Sequence, residues 1–265
     1  MTRKAYPSDV TNAEWQIIER LLPNAQSIGR PRQVDLREII NGIFYVVRQG
    51  CSWRAIPHDL PPWQTVYNYF RHWQRLGVWQ KIHTQLRQQV RKSMEKTDNP
   101  TAGIIDSQSV KTGRKKGEVY GYDGGKRVKG RKRFILVDTL GLLLGVIVTE
   151  ANFPERLGGA AVVMESGEAT KNLVVIWVDQ GFSGENFSRV IQQLCSAKVE
   201  VICRSEAGFQ VLPKRWIVER TFGWWNQYRR LSKDYELLPE MSESIIYTAM
   251  IRLMLKRLAQ SSVSA

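Results

Sequence analysis

The sequence of 265 residues has few cysteines, few histidines and no long apolar run. Its three cysteines lack the paired spacing of zinc sites, and their odd number favours a reduced, cytoplasmic compartment over a disulfide framework. The longest apolar run, within 140–148, is far shorter than the roughly 20 residues that cross a bilayer, and the first ten residues lack the apolar segment of a signal peptide. These scarcities argue against disulfide-stabilised, zinc-finger and membrane-spanning proteins.

Carboxylates are also scarce relative to cations. The chain has 25 Asp and Glu against 39 Lys and Arg, which gives a formal charge of +14 and an isoelectric point near 9.9. Such an excess creates a positive potential that attracts polyanions. Because the sequence offers no membrane segment, the charge predicts a binding partner of DNA or RNA.

A change in composition near residue 97 divides the chain. The segment "EKTDNPTAG" places Pro, Gly and polar residues between a Trp-rich half and a half with apolar strands. Before it, "TNAEWQIIERLLP" and "DLREIINGIFYVVRQG" repeat apolar residues at helical spacing. We therefore predict a helical domain at 1–97 and a second domain at 98–265.

The second half alternates strands with helices. "GIIDSQS" is interpreted as a short buried strand that ends at Asp106, and "KRFILVDTLGLLLGVIVTEA" as a hairpin. A helix near 156–169, a strand "NLVVIWVDQG", a helix "GENFSRVIQQLCS", a strand "KVEVICR" and a basic helix follow. This order predicts an α/β fold in which helices flank a mixed sheet, preceded by an all-α N-terminal part.

Three acids stand out in this arrangement. Asp106 and Asp179 each follow an apolar strand, and sites in α/β sheets form outside the carboxyl ends of strands. Glu219 is the single carboxylate of the basic segment 212–233. Carboxylates are the ligands that Mg²⁺ prefers, and a pair of such ions can stabilise both oxygens of a phosphodiester exchange. The simpler alternatives are turn or capping roles for the aspartates and a helical ion pair of Glu219 with Arg215 or Arg220.

Other acids of this half fit turn or solvated positions better. Asp138 falls at the predicted hairpin turn, and Asp123 falls in a segment rich in glycine and lysine. Glu150 is likewise a weaker candidate as a metal ligand. The candidate metal ligands are therefore Asp106, Asp179 and Glu219.

The first half contains a candidate DNA-reading device. "SWRAIPHDLPPWQTVYNYFRHW" places a short helix, a Pro-containing turn and a second helix in helix-turn-helix order. The second helix, at 63–73, would pack Val66, Phe70 and Trp73 inward, although this aromatic stripe is equally typical of a plain core. The polar face that could reach bases or phosphates is Gln64, Tyr67, Asn68 and Arg71.

Cations cluster in two further segments. The run from Lys111 to Arg133 holds ten Lys or Arg and two acids, which indicates either a solvated face or a mobile loop that grips DNA. The second cluster lies in the basic helix around Glu219. The candidate phosphate contacts are Lys111, Arg114, Lys126, Arg127 and Lys129 in the first segment, and Arg215, Arg229, Arg230 and Lys233 in the second.

Taken together, "IIDSQSVKTG", "VIWVDQGFSGENF" and "GFQVLPKRWIVERTFGWW" resemble the motifs of DDE transposases of bacterial insertion sequences, the IS4/IS5 type. The resemblance covers nearly all of the chain. It implies an RNase H-like catalytic core in which Asp106, Asp179 and Glu219 bind two Mg²⁺ ions, with Mn²⁺ as a substitute. It also implies cutting and joining of double-stranded DNA at transposon ends, by a homodimer or larger assembly.

The C-terminal signature of that group runs Tyr, two residues, Arg, three residues, Glu, six residues, Lys. Arg215 and Glu219 match it, whereas Leu212 and Asn226 stand at the positions of the Tyr and the Lys. The resemblance therefore leaves the contacts of those two positions without their usual side chains. Cations on the same or following turns, namely Arg229, Arg230 and Lys233, could take over the phosphate role.

Two other functions stay open from the sequence. A DNA-binding regulator derived from a transposase accounts for the charge and the helix-turn-helix pattern, but it gives the three acids no role. An RNase H-like nuclease or junction resolvase accounts for the acids, but it gives the N-terminal reader no role. Mg²⁺-dependent cleavage and preference for particular end sequences discriminate among the three.

Overall fold

Six strands form one mixed sheet within the residues that the computed structural model describes, which are 3–24, 34–114, 117–202 and 214–261. The sheet order is β2-β3-β1-β5-β6, and β4 pairs with β3. β3 is antiparallel to β1, β2 and β4, whereas β5 is parallel to both β1 and β6. The strands are β1 (Ala102–Lys111), β2 (Gly121–Asp123), β3 (Val128–Asp138), β4 (Leu143–Glu150), β5 (Val175–Val178) and β6 (Lys198–Val201).

Helices cover both faces of the sheet. α5 (Glu155–Ser166) and α6 (Glu185–Cys195) enclose one apolar cluster, which includes Ile105 and Ile176. α7 (Arg215–Trp225), α8 (Pro239–Ser261) and the N-terminal helices enclose the cluster on the other face, which includes Ile104. Successive residues of β1 thus point to opposite faces, as strand geometry requires. The predicted fold class, a mixed sheet flanked by helices and preceded by helices, is confirmed.

Capping residues define the ends of the first two helices of the N-terminal half. The side chain of Thr11 accepts a hydrogen bond from the backbone N–H of Glu14, whose carboxylate bonds back to Thr11. Asp35 caps the second helix, and Gly50, with φ of 72°, ends it. The α-helices among the described residues of this half are α1 (Asn12–Glu19), α2 (Leu36–Gln49), α3 (Trp63–Arg75) and α4 (Val78–Ser93).

The two sides of residue 97 share one hydrophobic cluster. Val66, Phe70 and Trp73 of α3 belong to the same cluster as Ile245 and Leu255 of α8. α8 is buried along most of its length and packs on α4, α1, α2 and β4. The division of the chain at residue 97 stays a prediction, and any such division would separate residues that pack on each other.

Several details differ from the sequence-based expectations. β1 continues to Lys111, so Asp106 lies in the middle of the strand and not at its end. The first helix of the predicted helix-turn-helix is a single 3-10 turn, Trp53–Ala55. The segment from Lys111 to Arg133, predicted as a possible loop, contains β2 and half of β3. α4, β2 and α8 are further elements that the sequence patterns do not predict.

No helix within the described ranges has both the length and the apolar character to cross a bilayer. The tryptophans, all nine of which are described, mostly pack inside the chain. Trp216 is the exposed one, at 41% of its surface, while the others are buried or half-buried. The tryptophan content thus reflects the core of a single chain and gives no support for self-association.

Candidate active site

Asp106 and Asp179 lie side by side on neighbouring parallel strands. Ala102 of β1 pairs with Val175 of β5, and Ile104 pairs with Trp177. Continuing this register by two residues puts Asp106 opposite Asp179, which directly follows β5. Because neighbouring strands are about 4.8 Å apart, the two backbones are close at this point.

The alternation of the strands sends both aspartates to the face that α7 covers. Ile104 and Trp177 contribute to the cluster on that face, and Asp106 and Asp179 follow each of them by two residues. Both aspartates are half-buried and line one small cavity together with Val218 of α7. The site therefore lies between the two central parallel strands and α7.

Local hydrogen bonds orient the two carboxylates. Asp106 Oδ1 accepts a bond from the backbone N–H of Ser107 at 2.7 Å. Asp179 Oδ1 accepts one from the N–H of Gly181 at 2.9 Å, which caps the 3-10 turn Gln180–Phe182. The capping role expected of an aspartate after a strand is thus real for Asp179, and it fixes the carboxylate at the mouth of the cavity.

Glu219 lies on α7 and is exposed. Its neighbour Val218 lines the cavity of the aspartates, whereas Glu219 itself does not. Within 3–24, 34–114, 117–202 and 214–261, no three His, Cys, Asp or Glu side chains are close enough to hold a metal ion together. The structure therefore brings Asp106 and Asp179 together and leaves Glu219 outside a common ligand cluster.

Contacts at both ends hold α7 over the sheet. Lys214, just before the helix, lies with its Nζ 3.6 Å from the ring centre of Trp177 on β5. Thr221 Oγ1 donates to the carbonyl of Gly141 at 2.9 Å in the turn between β3 and β4. Gly141 has φ of 77°, and a Cβ there would lie 2.8 Å from the Thr221 hydroxyl. Glycine thus permits the close approach of turn and helix.

The aspartate pair suits a hard divalent cation. Mg²⁺ is bound by one or two carboxylates with several waters, so two adjacent aspartates are a sufficient protein ligand set. The donors are all oxygens, which excludes a site for soft thiolate-binding metals. Asp106 and Asp179 fit Mg²⁺, and Glu219 would need to approach them to join as a third ligand.

The other acids of this half have structural roles. Asp138 is fully buried, pairs with Arg91 at 2.6 Å and accepts bonds from the N–H groups of Leu140 and Leu142. Its turn role is as predicted, but it is not solvated. Asp123 accepts bonds from the Ser109 hydroxyl and from the N–H of Lys126. Neither belongs to the cavity of the aspartate pair.

The predicted DNA-reading face of α3 is partly exposed. Gln64 and Asn68 are exposed. Tyr67 is half-buried, because its ring packs edge-on against Trp53 at 5.3 Å between ring centres. Arg71 is half-buried and bonds Gln74 at 2.7 Å. The helix presents its apolar residues inward as predicted, with two of its four polar candidates open to solvent.

The basic run splits into exposed and buried parts. Arg131, Lys132 and Arg133 are buried in β3, where Arg131 pairs with Asp234 at 3.1 Å and burial lowers the pKa of Arg133 to about 10. Residues 115 and 116 lie outside the described residues. The exposed cations are Lys111, Arg114, Lys126, Arg127 and Lys129.

The C-terminal cations divide in the same way. Arg229 and Lys233 are exposed, whereas Arg230 is buried in an ion pair with Glu236 at 2.7 Å. Arg230 is thus engaged within the chain. Leu212 and the side chain of Arg215 lie outside the described residues, and exposed Asn226 ends α7.

Comparison with known proteins matches both halves of the chain. Residues 97–254 match a family described as "Transposase DDE domain", and residues 10–83 match one described as "Putative transposase of IS4/5 family". A relative from Burkholderia cepacia, "Insertion element IS402 uncharacterized 16.2 kDa protein", is 31% identical over 104 residues. That alignment covers 37% of this chain and 69% of the relative.

Proposed function

The chain belongs to the transposase DDE domain family, and we propose that it cuts and joins DNA strands at insertion-element ends with Asp106, Asp179 and Glu219 as catalytic acids. The register of β1 and β5, which sets Asp106 beside Asp179, is the observation that carries this proposal. The cavity that the two aspartates share with Val218 supports a role for the next residue of α7, Glu219.

The proposed ligands of two Mg²⁺ ions, or of Mn²⁺ in their place, are these three carboxylates. Bound Mg²⁺ supplies neutralisation of the charge on the attacking and leaving oxygens of the phosphodiester. Asp106 and Asp179 provide the fixed part of the ligand set, because a strand and a cap hold their backbones. Glu219, on a helix surface, provides the remaining ligand, which joins the two aspartates in the DNA complex.

The proposed DNA contacts come from two surfaces. The exposed residues of α3 read terminal-repeat DNA, and exposed cations of β1, β3 and the C-terminal segment bind phosphates. We further propose that two copies act together in the DNA complex, since one element has two ends to cut. The exposed proposed contacts are Gln64, Asn68, Lys111, Arg114, Lys126, Arg127, Lys129, Arg229 and Lys233.

Strand cleavage of a duplex that carries the DNA flanking the gene tests the proposal. Asp106→Asn, Asp179→Asn and Glu219→Gln are each expected to lower Mg²⁺-dependent cleavage at least a hundredfold, because phosphoryl transfer requires charge neutralisation at the reacting phosphate. DNA affinity measured without metal should stay within threefold of wild type. Glu168→Gln is the matched control, since Glu168 is exposed, pairs with Lys171 three residues later and does not line the aspartate cavity.

The outcomes separate the three functions. Cleavage by Asp106→Asn or Asp179→Asn within tenfold of wild type would remove that residue from the site. DNA binding without Mg²⁺-dependent cleavage would leave a DNA-binding regulator. Cleavage of RNA–DNA hybrids or junctions without preference for end sequences would indicate a nuclease or resolvase.

A further inference from the structure

A pocket of about 660 Å³ opens beside α7, away from the aspartate cavity. Its walls come from the end of α4, the turn between β3 and β4, α7 and the last turns of α8. Apolar atoms of Val90 and Leu140 form part of the wall, and two arginines, Arg220 and Arg257, supply its charge. Among the residues that the structure describes, no acidic one lines it.

Aromatic rings hold both guanidinium groups in place. Arg220 Cζ lies 4.2 Å from the ring centre of Trp216 and 5.0 Å from that of Trp224. Arg257 Cζ lies 4.4 Å from the ring centre of Trp224. Trp224 is thus shared by the two arginines, and stacking on it restricts their rotation. The pocket presents two positioned cations and not two flexible ones.

Neither arginine has a carboxylate partner in the described part of the chain. Arg220 donates to the carbonyl of Leu140 at 2.9 Å, while its Nε is buried without a hydrogen-bond partner there. Arg257 is half-buried, and burial, together with the charge of Arg220, lowers its pKa. Two positively charged, partly desolvated guanidinium groups therefore face the same pocket.

The nearest acid is already occupied. Asp138 is the carboxylate whose charge reaches Arg220 and Arg257, but its Oδ2 bonds Arg91 at 2.6 Å and its Oδ1 accepts two backbone N–H groups. Arg87, also within reach of Asp138, is buried with its Nε and one terminal nitrogen unpartnered among the described residues. Four arginines surround one aspartate, so this part of the protein carries uncompensated positive charge.

Uncompensated buried charge is costly, and chains retain it where a ligand supplies the opposite charge. Two guanidinium groups fixed around one opening match the oxygens of a phosphate, which accept charge-assisted and bidentate hydrogen bonds. We propose that Arg220 and Arg257 form a phosphate-binding pocket that holds a backbone phosphate of the DNA substrate. The choice of DNA as the source of the phosphate rests on the proposed function. Arg220 directly follows Glu219 in α7, so the pocket and the proposed third catalytic acid belong to the same helix.

DNA binding without metal tests the pocket independently of cleavage. Arg257→Gln should weaken binding to all duplex sequences about equally and reduce the slope of log affinity against log salt by about 0.9, the share of one phosphate contact. Arg257→Lys keeps the positive charge but loses the paired N–H donors of the guanidinium group. It should keep most of the salt slope of DNA binding. Arg189→Gln, which removes an exposed arginine of α6 on the opposite face of the sheet, is the matched control and should change neither quantity.

Thermal unfolding with inorganic phosphate separates a phosphate site from a structural role. In chloride, Arg257→Gln should unfold at the wild-type temperature or above it, because the substitution removes uncompensated charge. Phosphate at equal ionic strength should raise the unfolding temperature of wild type more than that of Arg257→Gln. A lower unfolding temperature of Arg257→Gln in chloride, with equal phosphate stabilisation of both proteins, would overturn the site.

The two sources of phosphate are distinguished by combining the assays. Loss of phosphate stabilisation together with the reduced salt slope supports the DNA backbone as ligand. Loss of phosphate stabilisation with a salt slope equal to that of Arg189→Gln would overturn the DNA assignment and leave a site for a free phosphate. Absent cleavage in every protein, with the salt slope still reduced in Arg257→Gln, would refute the catalytic proposal and keep the pocket.

Discussion

The basic run at 126–133 has an exposed first half and a buried second half. Lys126, Arg127 and Lys129 are exposed, although Lys126 Nζ donates to the carbonyl of Ser107 at 3.1 Å, whereas Arg131 and Arg133 are buried two to seven residues later. Both halves are rich in Lys and Arg in the sequence. The difference arises because the segment that follows α7 covers the second half and leaves the first open.

The buried arginines act as hydrogen-bond donors to that covering segment. Arg131 donates to Asp234, to the Ser242 hydroxyl and to the carbonyls of residues 236 and 237. Arg133 donates to the carbonyls of residues 231 and 233. These bonds satisfy backbone groups that would otherwise be buried without partners. Charge density alone therefore does not identify a DNA surface, and burial decides which cations can meet a phosphate.

The largest expected effect follows from breaking the buried half. Arg131→Met should destabilise the protein by about 3 to 5 kcal/mol, because it leaves Asp234 as a buried carboxylate without its cation. Lys129→Met, two residues away and exposed, should change the free energy of unfolding by less than about 0.5 kcal/mol. Urea unfolding of both variants measures the difference. Equal losses would mean that burial does not separate the two halves.

A half-buried acid without a cation partner provides a second contrast. Burial raises the pKa of Glu243 from 4.5 to about 7, and its carboxylate accepts a bond from the N–H of Val148 but pairs with no cation among the described residues. Between pH 4.5 and 7 the unfolded chain has released this proton while the folded chain keeps it. Stability should therefore fall by up to about 3 kcal/mol as the pH rises through that window.

Glu243→Gln is expected to remove this part of the pH dependence. Unfolding measured at several pH values between 4.5 and 7 should give a flatter profile for Glu243→Gln than for wild type. If the variant keeps the wild-type slope of stability against pH, the pH dependence belongs to other groups. Glu165→Gln, at an exposed acid whose charge acts on Glu243, is the control that should lower the slope only slightly.

Neutralising the exposed half of the basic run should have the smallest effect on folding and the clearest effect on DNA binding. Replacing Lys126, Arg127 and Lys129 together by Gln should reduce the salt slope of DNA binding by about 2.7, which is three phosphate contacts, with little change in unfolding. Fluorescence anisotropy of a labelled duplex across salt concentrations measures it. An unchanged slope would place this surface off the DNA, and the exposed half would then be only solvated.

Sequence predicted the parts of the fold that local pattern determines. The apolar runs before Asp106 and Asp179 indicated strands, and their order indicated the mixed sheet. The predicted end of β1 is too early, because residues 107–111 are mostly polar and show no strand alternation in the sequence. The sequence pattern does not predict α8, because this helix is buried on most sides and lacks the polar face of an amphipathic helix.

The candidate site was only partly predictable for the same reason. Asp106 and Asp179 could be found because each sits at a recognisable strand position. The burial of Arg131 depends on a partner about a hundred residues away, which no local pattern contains. Arg257 gave one usable signal, since it belongs to a small group of cations, Arg252, Lys256 and Arg257, in an otherwise apolar stretch of α8. The predicted phosphate contacts do not include this group of cations.

The most direct test of the central claim is to locate the metal on the protein. Fe²⁺ placed in a Mg²⁺ site reduces added hydrogen peroxide to hydroxide and hydroxyl radicals, which cut the polypeptide near the metal ligands, and the fragments report their positions. In the presence of end DNA, the account predicts cuts near residues 106, 179 and 219, all suppressed by excess Mg²⁺ and by Asp106→Asn. Cuts near Asp123 and Glu155 instead, or no Mg²⁺-sensitive cut near residues 106 and 179, would contradict it.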